Sequence, residues 1–138
     1  MNLAKRLARP EIVSLKPYSS ARSLGIEGEV FLDANENPFG TLNRYPDPYQ
    51  KELKVLLGEE KGVHPNQIFI GNGSDEVIDL AYRLFCEPGK DKALTFTPTY
   101  GMYEVSAGIN NVTLDKIPLT KEFDLDLPVI LEAIQDTS

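Results

Sequence analysis

A short apolar segment that runs through two glycines into an amphipathic helix places the strongest constraint on this chain. The segment is Ile68-Phe-Ile-Gly-Asn-Gly-Ser-Asp-Glu-Val-Ile-Asp79. Its apolar start predicts a strand over residues 68–70, buried on both faces, and the spacing that follows predicts a helix over 74–85. Gly71 and Gly73 permit a close turn between the two. Such a turn directs the unsatisfied N–H groups of a helix start at an anion.

The rest of the C-terminal half alternates strand and helix patterns. Strands are predicted over residues 93–97 and 112–118, and helices over 99–107 and 126–134, the last with Asp126 as its cap. This order predicts an α/β fold, a mostly parallel sheet with flanking helices joined by right-handed crossovers.

The N-terminal part of the chain has no sustained period. Residues 1–40 predict a short helix followed by an extended arm that packs on another domain or a partner chain, with a strand candidate at 29–33. Asp47 and Pro48 then predict the cap and first position of a helix. Gly58 predicts a stop or bend in that helix.

Charge and composition exclude several classes of protein. The net charge of -7 and the lack of a basic block argue against nucleic acid binding. There is no apolar run of about 18 residues, so no membrane span is expected. One cysteine, Cys86, and one histidine, His64, cannot by themselves form a disulfide, a Ser-His-Asp triad or a His/Cys zinc site. We expect a cytoplasmic protein without a metal, in which His64 is a solvated loop residue rather than a base.

The chemistry of the helix start leaves two interpretations. The N–H groups of Ser74 and Asp75, with the Ser74 hydroxyl, suit an anion. Asp75 and Glu76 would repel a phosphate unless their side chains point away, so a plain turn with a serine cap is the alternative. Glu76 stands where a dinucleotide fingerprint needs its third glycine, and no Gly-Lys-Ser/Thr loop occurs. A single phosphate, as on a phosphorylated cofactor, is the remaining ligand.

Two further features are candidates for ligand contact. Tyr100 follows the second predicted strand, at the end of a parallel sheet where ligands bind, and its ring can stack on a flat cofactor. A packed tyrosine is the alternative. The polar loop at 33–40 offers Asn35, Glu36 and Asn37 to a ligand, with a plain turn as the alternative.

Five motifs follow one another in order along the chain: Ala34-Asn-Glu-Asn-Pro, Arg44-Tyr-Pro-Asp, Gly71-Asn-Gly-Ser-Asp-Glu, Phe85-Cys-Glu-Pro-Gly and Pro98-Thr-Tyr-Gly-Met-Tyr. In this order they resemble the N-terminal part of histidinol-phosphate aminotransferases, class II aminotransferase-like enzymes of the type I fold that use pyridoxal 5'-phosphate. The resemblance implies that residues 41–138 are the N-terminal part of the cofactor-binding large domain, and that 1–40 contribute to the small domain and a dimer contact.

The resemblance also implies roles for individual residues. Tyr100 would stack on the pyridine ring, and Tyr45 would reach the cofactor phosphate of the neighbouring subunit of a homodimer. Tyr18, near the substrate phosphate, and Asn35 would lie on the substrate side. The implied reaction moves an amino group between L-histidinol phosphate and 2-oxoglutarate, giving imidazole-acetol phosphate and glutamate, in histidine biosynthesis. The implied cofactor-binding residues are Gly73, Ser74, Asp75, Tyr100 and Tyr45.

The lysines of the chain depart from the family pattern. None stands in the Ser-Lys context of the Schiff-base lysine, which the resemblance places beyond Ser138. We therefore expect these residues to be part of a longer enzyme, with no catalytic residue of their own and no transamination by themselves. A non-catalytic module and another type I aminotransferase are the alternatives.

Overall fold

The computed structural model describes residues 3–18, 30, 32, 34–37, 39–42 and 44–135. The chain forms two compact units, one of Met1–Leu15 with Gly71–Ser138 and one of Lys16–Ile70. In chain order, the elements are α1 (Leu3–Leu7), α2 (Pro10–Ser14), α3 (Lys51–Lys61), a 3-10 helix (Pro65–Gln67), α4 (Ser74–Phe85), β1 (Lys92–Thr97), α5 (Met102–Ile109), β2 (Thr113–Pro118) and α6 (Leu127–Gln135).

The first unit is built on a parallel pair of strands. β1 and β2 pair in register from Lys92 opposite Thr113 to Thr97 opposite Pro118. Helix α5 connects them, as a parallel crossover requires. Both predicted strands and their parallel pairing are confirmed, and with them the α/β class.

The core of this unit lies between α4, α5 and the sheet. Tyr82 of α4, Ala107 of α5 and Val112 before β2 are buried together. The Tyr82 hydroxyl donates to the backbone oxygen of Tyr103 at 3.1 Å, which satisfies the polar end of a ring that is otherwise in the core. Partly buried side chains pack around this centre, namely Ile78, Cys86, Ala93 and Leu114.

Arg9 attaches the N-terminal helices to the end of α4. Its backbone N–H donates to the Leu84 oxygen at 3.0 Å, and its guanidinium donates to the Arg83 oxygen and to the Glu87 carboxylate, both at 3.2 Å. A cation at this position satisfies carbonyls that a helix end leaves free. The predicted N-terminal helix is confirmed, as two short helices.

Helices α5 and α6 follow their predicted positions closely. α5 begins at Met102 rather than 99, because the Gly101 oxygen is the acceptor that starts it, for Glu104 and Val105 N–H at 3.2 Å. The Asp126 cap of α6 is confirmed, since its carboxylate accepts the Val129 N–H at 3.3 Å.

The strand predicted over 68–70 is wrong. These residues belong to no strand, and Phe69 is 60% exposed. The Ile68 N–H instead donates to the Pro65 oxygen at 3.1 Å, closing the 3-10 helix. A strand buried on both faces needs a paired neighbour and two covering layers, and no described residues pair with this segment. Of the candidate strand at 29–33, three residues lie outside the described residues, and the other two, at 30 and 32, are exposed and in no strand.

Helix α3 begins later than its cap predicts. Asp47 does accept helix-start donors, from the N–H groups of Tyr49 and Lys51, both at 2.9 Å. Pro48 nevertheless lies in a turn, and Gln50 has a left-handed φ of 46° before the helix starts. The Asp47 carboxylate therefore accepts the first N–H of α3 although Asp47 itself lies before the intervening turn.

The stop predicted at Gly58 is also wrong. Helix α3 continues through Gly58 to Lys61 and ends at Gly62, whose φ of 65° is the left-handed cap that favours glycine. Gly58 is buried, and a Cβ there would lie 2.7 Å from the Val63 oxygen. The glycine thus permits a close approach and does not break the helix.

The described residues hold neither a membrane-spanning helix nor a cluster of metal-binding side chains. None of their helices combines the length and apolar character that crossing a bilayer needs. Nor do they bring together three side chains of the metal-binding types His, Cys, Asp and Glu.

Candidate functional site

The start of helix α4 has the geometry of an open cradle. Gly73 precedes the helix with φ 82° and ψ 178°, a conformation that L side chains rarely adopt. A Cβ built there would meet no atom within 4 Å. The backbone angle, not crowding, therefore requires glycine, and the space beside the first helical turn is open to a ligand.

The first residue of α4 is Ser74, and Gly73 occupies the capping position, where it has no side chain with which to cap the helix. The N–H groups of Ser74 and Asp75 precede the first intrahelical bonds. The predicted serine cap is therefore wrong. The positive end of an α-helix here favours an anion.

The two acids of the first turn have partners outside these donors. Glu76 Oε2 accepts the Asn72 N–H at 2.5 Å, so this side chain folds back over the turn. Asp75 Oδ1 accepts a hydrogen bond from the Tyr100 hydroxyl at 3.0 Å. The Asp75 carboxylate is thus turned onto Tyr100, whereas the Glu76 carboxylate stays beside the turn that precedes the helix.

Tyr100 stands at the edge of the same site. It follows β1, its ring meets the Tyr103 ring edge-on at 6.4 Å, and it is 54% exposed, which disagrees with a tyrosine packed in the core. Its hydrogen bond to the Asp75 carboxylate, and then the negative charge of that group, raise the pKa of the Tyr100 hydroxyl. The bond joins residues 25 positions apart and ties the ring to the helix start.

A cleft of about 210 Å³ lies beside Tyr100 at the carboxyl end of β1. Thr95 and Thr97 line it, and Lys116 enters from β2, where its ammonium pairs with Glu104 at 2.7 Å. Enclosed small-molecule pockets usually exceed about 300 Å³. The described residues therefore form a shallow surface beside the Tyr100 ring.

The second unit holds the other predicted site residues. Tyr18 is 88% exposed, Tyr45 is 58% exposed, and Asn35 is exposed in the polar loop. Glu36, predicted to face a ligand, instead turns inward with only 4% of its side chain exposed. It accepts hydrogen bonds from Arg44 and from the Tyr45 N–H, so the loop of Asn35 and the segment of Tyr45 are brought together.

Sequence reasoning missed these two carboxylate contacts. Glu36 and Arg44 are eight residues apart, and Asp75 and Tyr100 are 25 apart. The two residues of each pair belong to different segments of the chain, so a period within one helix or strand gives no signal for either contact. The available signal was that each of these four residues lies inside one of the quoted motifs.

His64 belongs to the framework of the second unit. Its Nδ1 accepts the Asn66 N–H at 3.2 Å, and the Gln67 side chain accepts the His64 N–H at 3.0 Å. This reciprocal pair caps the 3-10 helix. His64 is exposed, as predicted for a loop residue.

The chain belongs to the aminotransferase class I and II family, whose model matches residues 23–138. Among its relatives, proteins named histidinol-phosphate aminotransferase are similar to nearly all of it. The protein from Cytophaga hutchinsonii is 55% identical over 94% of this chain, that from Parabacteroides distasonis 54% over 96%, and that from Bacteroides thetaiotaomicron 52% over 99%. The chain spans 39 to 40% of the length of these three relatives.

Proposed function

We propose that the protein containing this chain is a histidinol-phosphate aminotransferase. It moves an amino group between L-histidinol phosphate and 2-oxoglutarate, forming imidazole-acetol phosphate and glutamate. The observation that carries the proposal is the high identity, along almost the whole chain, to relatives that bear this name. The absence of an intramolecular disulfide partner for Cys86 in these residues supports a cytoplasmic location.

The start of α4 fits the phosphate of pyridoxal 5'-phosphate. The Ser74 and Asp75 N–H groups donate to that phosphate, and Gly73 leaves the space in which it lies. Tyr100 stacks on the ring, held by its hydroxyl bond to Asp75. When bound, the cofactor supplies the electron sink for amino transfer. These residues bind and orient it.

The second unit supplies the remaining contacts. Tyr45 serves the cofactor phosphate of the neighbouring subunit in a homodimer. Tyr18 and Asn35 lie on the substrate side, with Tyr18 near the substrate phosphate. The exposure of all three side chains in this chain supports roles in contacts with other molecules or subunits.

The test is amino transfer by the full protein as its gene encodes it. With glutamate as donor and added pyridoxal 5'-phosphate, we expect imidazole-acetol phosphate to be converted much faster than phenylpyruvate, which lacks the phosphate. Measurement of 2-oxoglutarate release gives both rates. Equal rates would contradict the proposed substrate, and no cofactor-dependent transfer to either acceptor would overturn the proposed activity.

A further inference from the structure

Glu36 is a buried acid in an otherwise exposed loop. Only 4% of its side chain is exposed, whereas its neighbours Asn35 and Asn37 are exposed. Removing a carboxylate from water is costly unless other groups replace its hydration. The groups that hydrogen-bond to the Glu36 carboxylate therefore help to fix the conformation of this loop.

Two contacts of Glu36 lie eight and nine residues further along the chain. Its Oε1 accepts a hydrogen bond from the backbone N–H of Tyr45 at 2.8 Å, and its Oε2 accepts one from the Arg44 guanidinium. Both are charge-assisted bonds, the stronger kind. One carboxylate thus closes the loop of Asn35 onto the segment of Tyr45.

The bond to the Tyr45 N–H fixes the backbone from which an exposed side chain projects. Tyr45 is 58% exposed, so its own packing in this chain does little to hold it. A contact residue on an unrestrained loop loses conformational freedom when it binds, and this weakens binding. A buried carboxylate that orders the loop beforehand removes part of that cost.

We propose that Glu36 is a positioning residue that holds Asn35 and Tyr45 in one geometry, ready for substrate and cofactor. This inference rests on the proposed function, which assigns Tyr45 to the cofactor phosphate and Asn35 to the substrate side. In this role Glu36 acts through the Tyr45 backbone.

The first measurement needs no cofactor. In the full protein, Glu36→Ala is expected to speed hydrogen–deuterium exchange of the peptide covering residues 41–49, because the Tyr45 N–H loses its acceptor. Glu36→Gln retains an oxygen for that N–H and is expected to exchange close to the wild-type rate. Glu59→Ala, which removes an exposed carboxylate of α3, is the matched control. Unchanged exchange in Glu36→Ala would overturn the inference.

The second measurement is the dissociation constant of pyridoxal 5'-phosphate. Loss of a hydrogen bond to a charged group predicts about tenfold weaker binding in Glu36→Ala, with Glu36→Gln between it and wild type and Glu59→Ala unchanged. Because Glu36 acts through Tyr45, Glu36→Ala should weaken cofactor binding less in a Tyr45→Phe protein than it does in the wild-type protein. If the losses of cofactor binding free energy in the two single variants added fully in the double variant, Glu36 would act independently of Tyr45, and the inference would be overturned.

These outcomes separate the inference from the proposed function. A wild-type protein that takes up no pyridoxal 5'-phosphate overturns the proposed function and, with it, the positioning role. A wild-type protein that binds the cofactor, but whose Glu36→Ala variant binds equally well, overturns the positioning role alone.

Discussion

Tyr100 and Asp75 illustrate how one contact can serve two purposes. The tyrosine hydroxyl donates to the carboxylate at 3.0 Å, which orients the ring and turns the Asp75 side chain toward it. The same contact raises the pKa of Tyr100, because the bond and the charge of Asp75 both disfavour the phenolate.

Replacing Asp75 should change the titration of Tyr100. In Asp75→Asn the amide carries no negative charge, so we expect the Tyr100 phenolate to form at lower pH than in the wild-type protein. Ultraviolet phenolate absorbance of the cofactor-free protein, recorded against pH, measures this as a difference between the two titrations. The control is a protein with Tyr100→Phe, in which adding Asp75→Asn should leave the phenolate titration unchanged. A difference that persists there would mean that another tyrosine responds to Asp75.

At the scale of elements, glycine has a different role in helix α3 and in helix α4. Gly73 supplies a backbone angle at the start of α4, whereas Gly58 supplies space within α3. A glycine in a helix interior costs about 1 kcal/mol relative to alanine, so an interior glycine that is kept for packing should be recognisable by substitution.

Gly58→Ala should destabilise the protein despite its better helix propensity. The new Cβ would lie 2.7 Å from the Val63 backbone oxygen. Overpacking costs about 1 to 3 kcal/mol, against a propensity gain of about 1 kcal/mol. We expect a net loss of up to about 2 kcal/mol in the free energy of unfolding, measured by urea denaturation of the full protein.

Gly108→Ala in α5 is the matched control. A Cβ there meets nothing within 4 Å, so only the propensity gain applies, and a small increase in stability is expected. If Gly58→Ala were equally stabilising, the close approach of Val63 would not constrain α3.

At the scale of the whole molecule, the candidate residues fall into two compact units. Gly73, Ser74, Asp75 and Tyr100 lie in one, and Tyr18, Asn35 and Tyr45 lie in the other. In the proposed homodimer, the second unit of one subunit would contribute Tyr45 to the cofactor site of the neighbouring subunit.

Mixed dimers test that arrangement. Ser74→Pro removes one N–H donor at the first helical position, where proline is otherwise tolerated, so it should weaken cofactor binding without breaking α4. Tyr45→Phe should weaken it through the other subunit. In a dimer with one variant in each subunit, one of the two sites has both wild-type residues. We expect that site to recover wild-type cofactor affinity in a titration of the mixed dimers.

The controls define what recovery means. Ser74→Ala keeps the N–H and loses only the hydroxyl, so its affinity should fall less than that of Ser74→Pro. If Tyr45 acted within its own subunit, each site of the mixed dimer would carry one defect. No site would then recover, which would contradict the dimer proposal.

The local elements of this protein followed from the sequence by itself. Apolar spacing predicted α4 and the two parallel strands, and Asp126 predicted the cap of α6. Gly73 predicted the turn that leaves a helix start open. These features depend on residues within about one helical turn or along one strand, so their information is present in short segments of the chain.

Tertiary structure alone decided the contacts that shape the candidate site. It turned Glu36 inward onto Arg44 and Tyr45, and it joined Asp75 to Tyr100 across 25 residues. It also left residues 68–70 unpaired, although their composition favours a strand. The physical reason is that burial, strand pairing and hydrogen bonding between distant groups depend on where whole elements pack, and no local period encodes that placement.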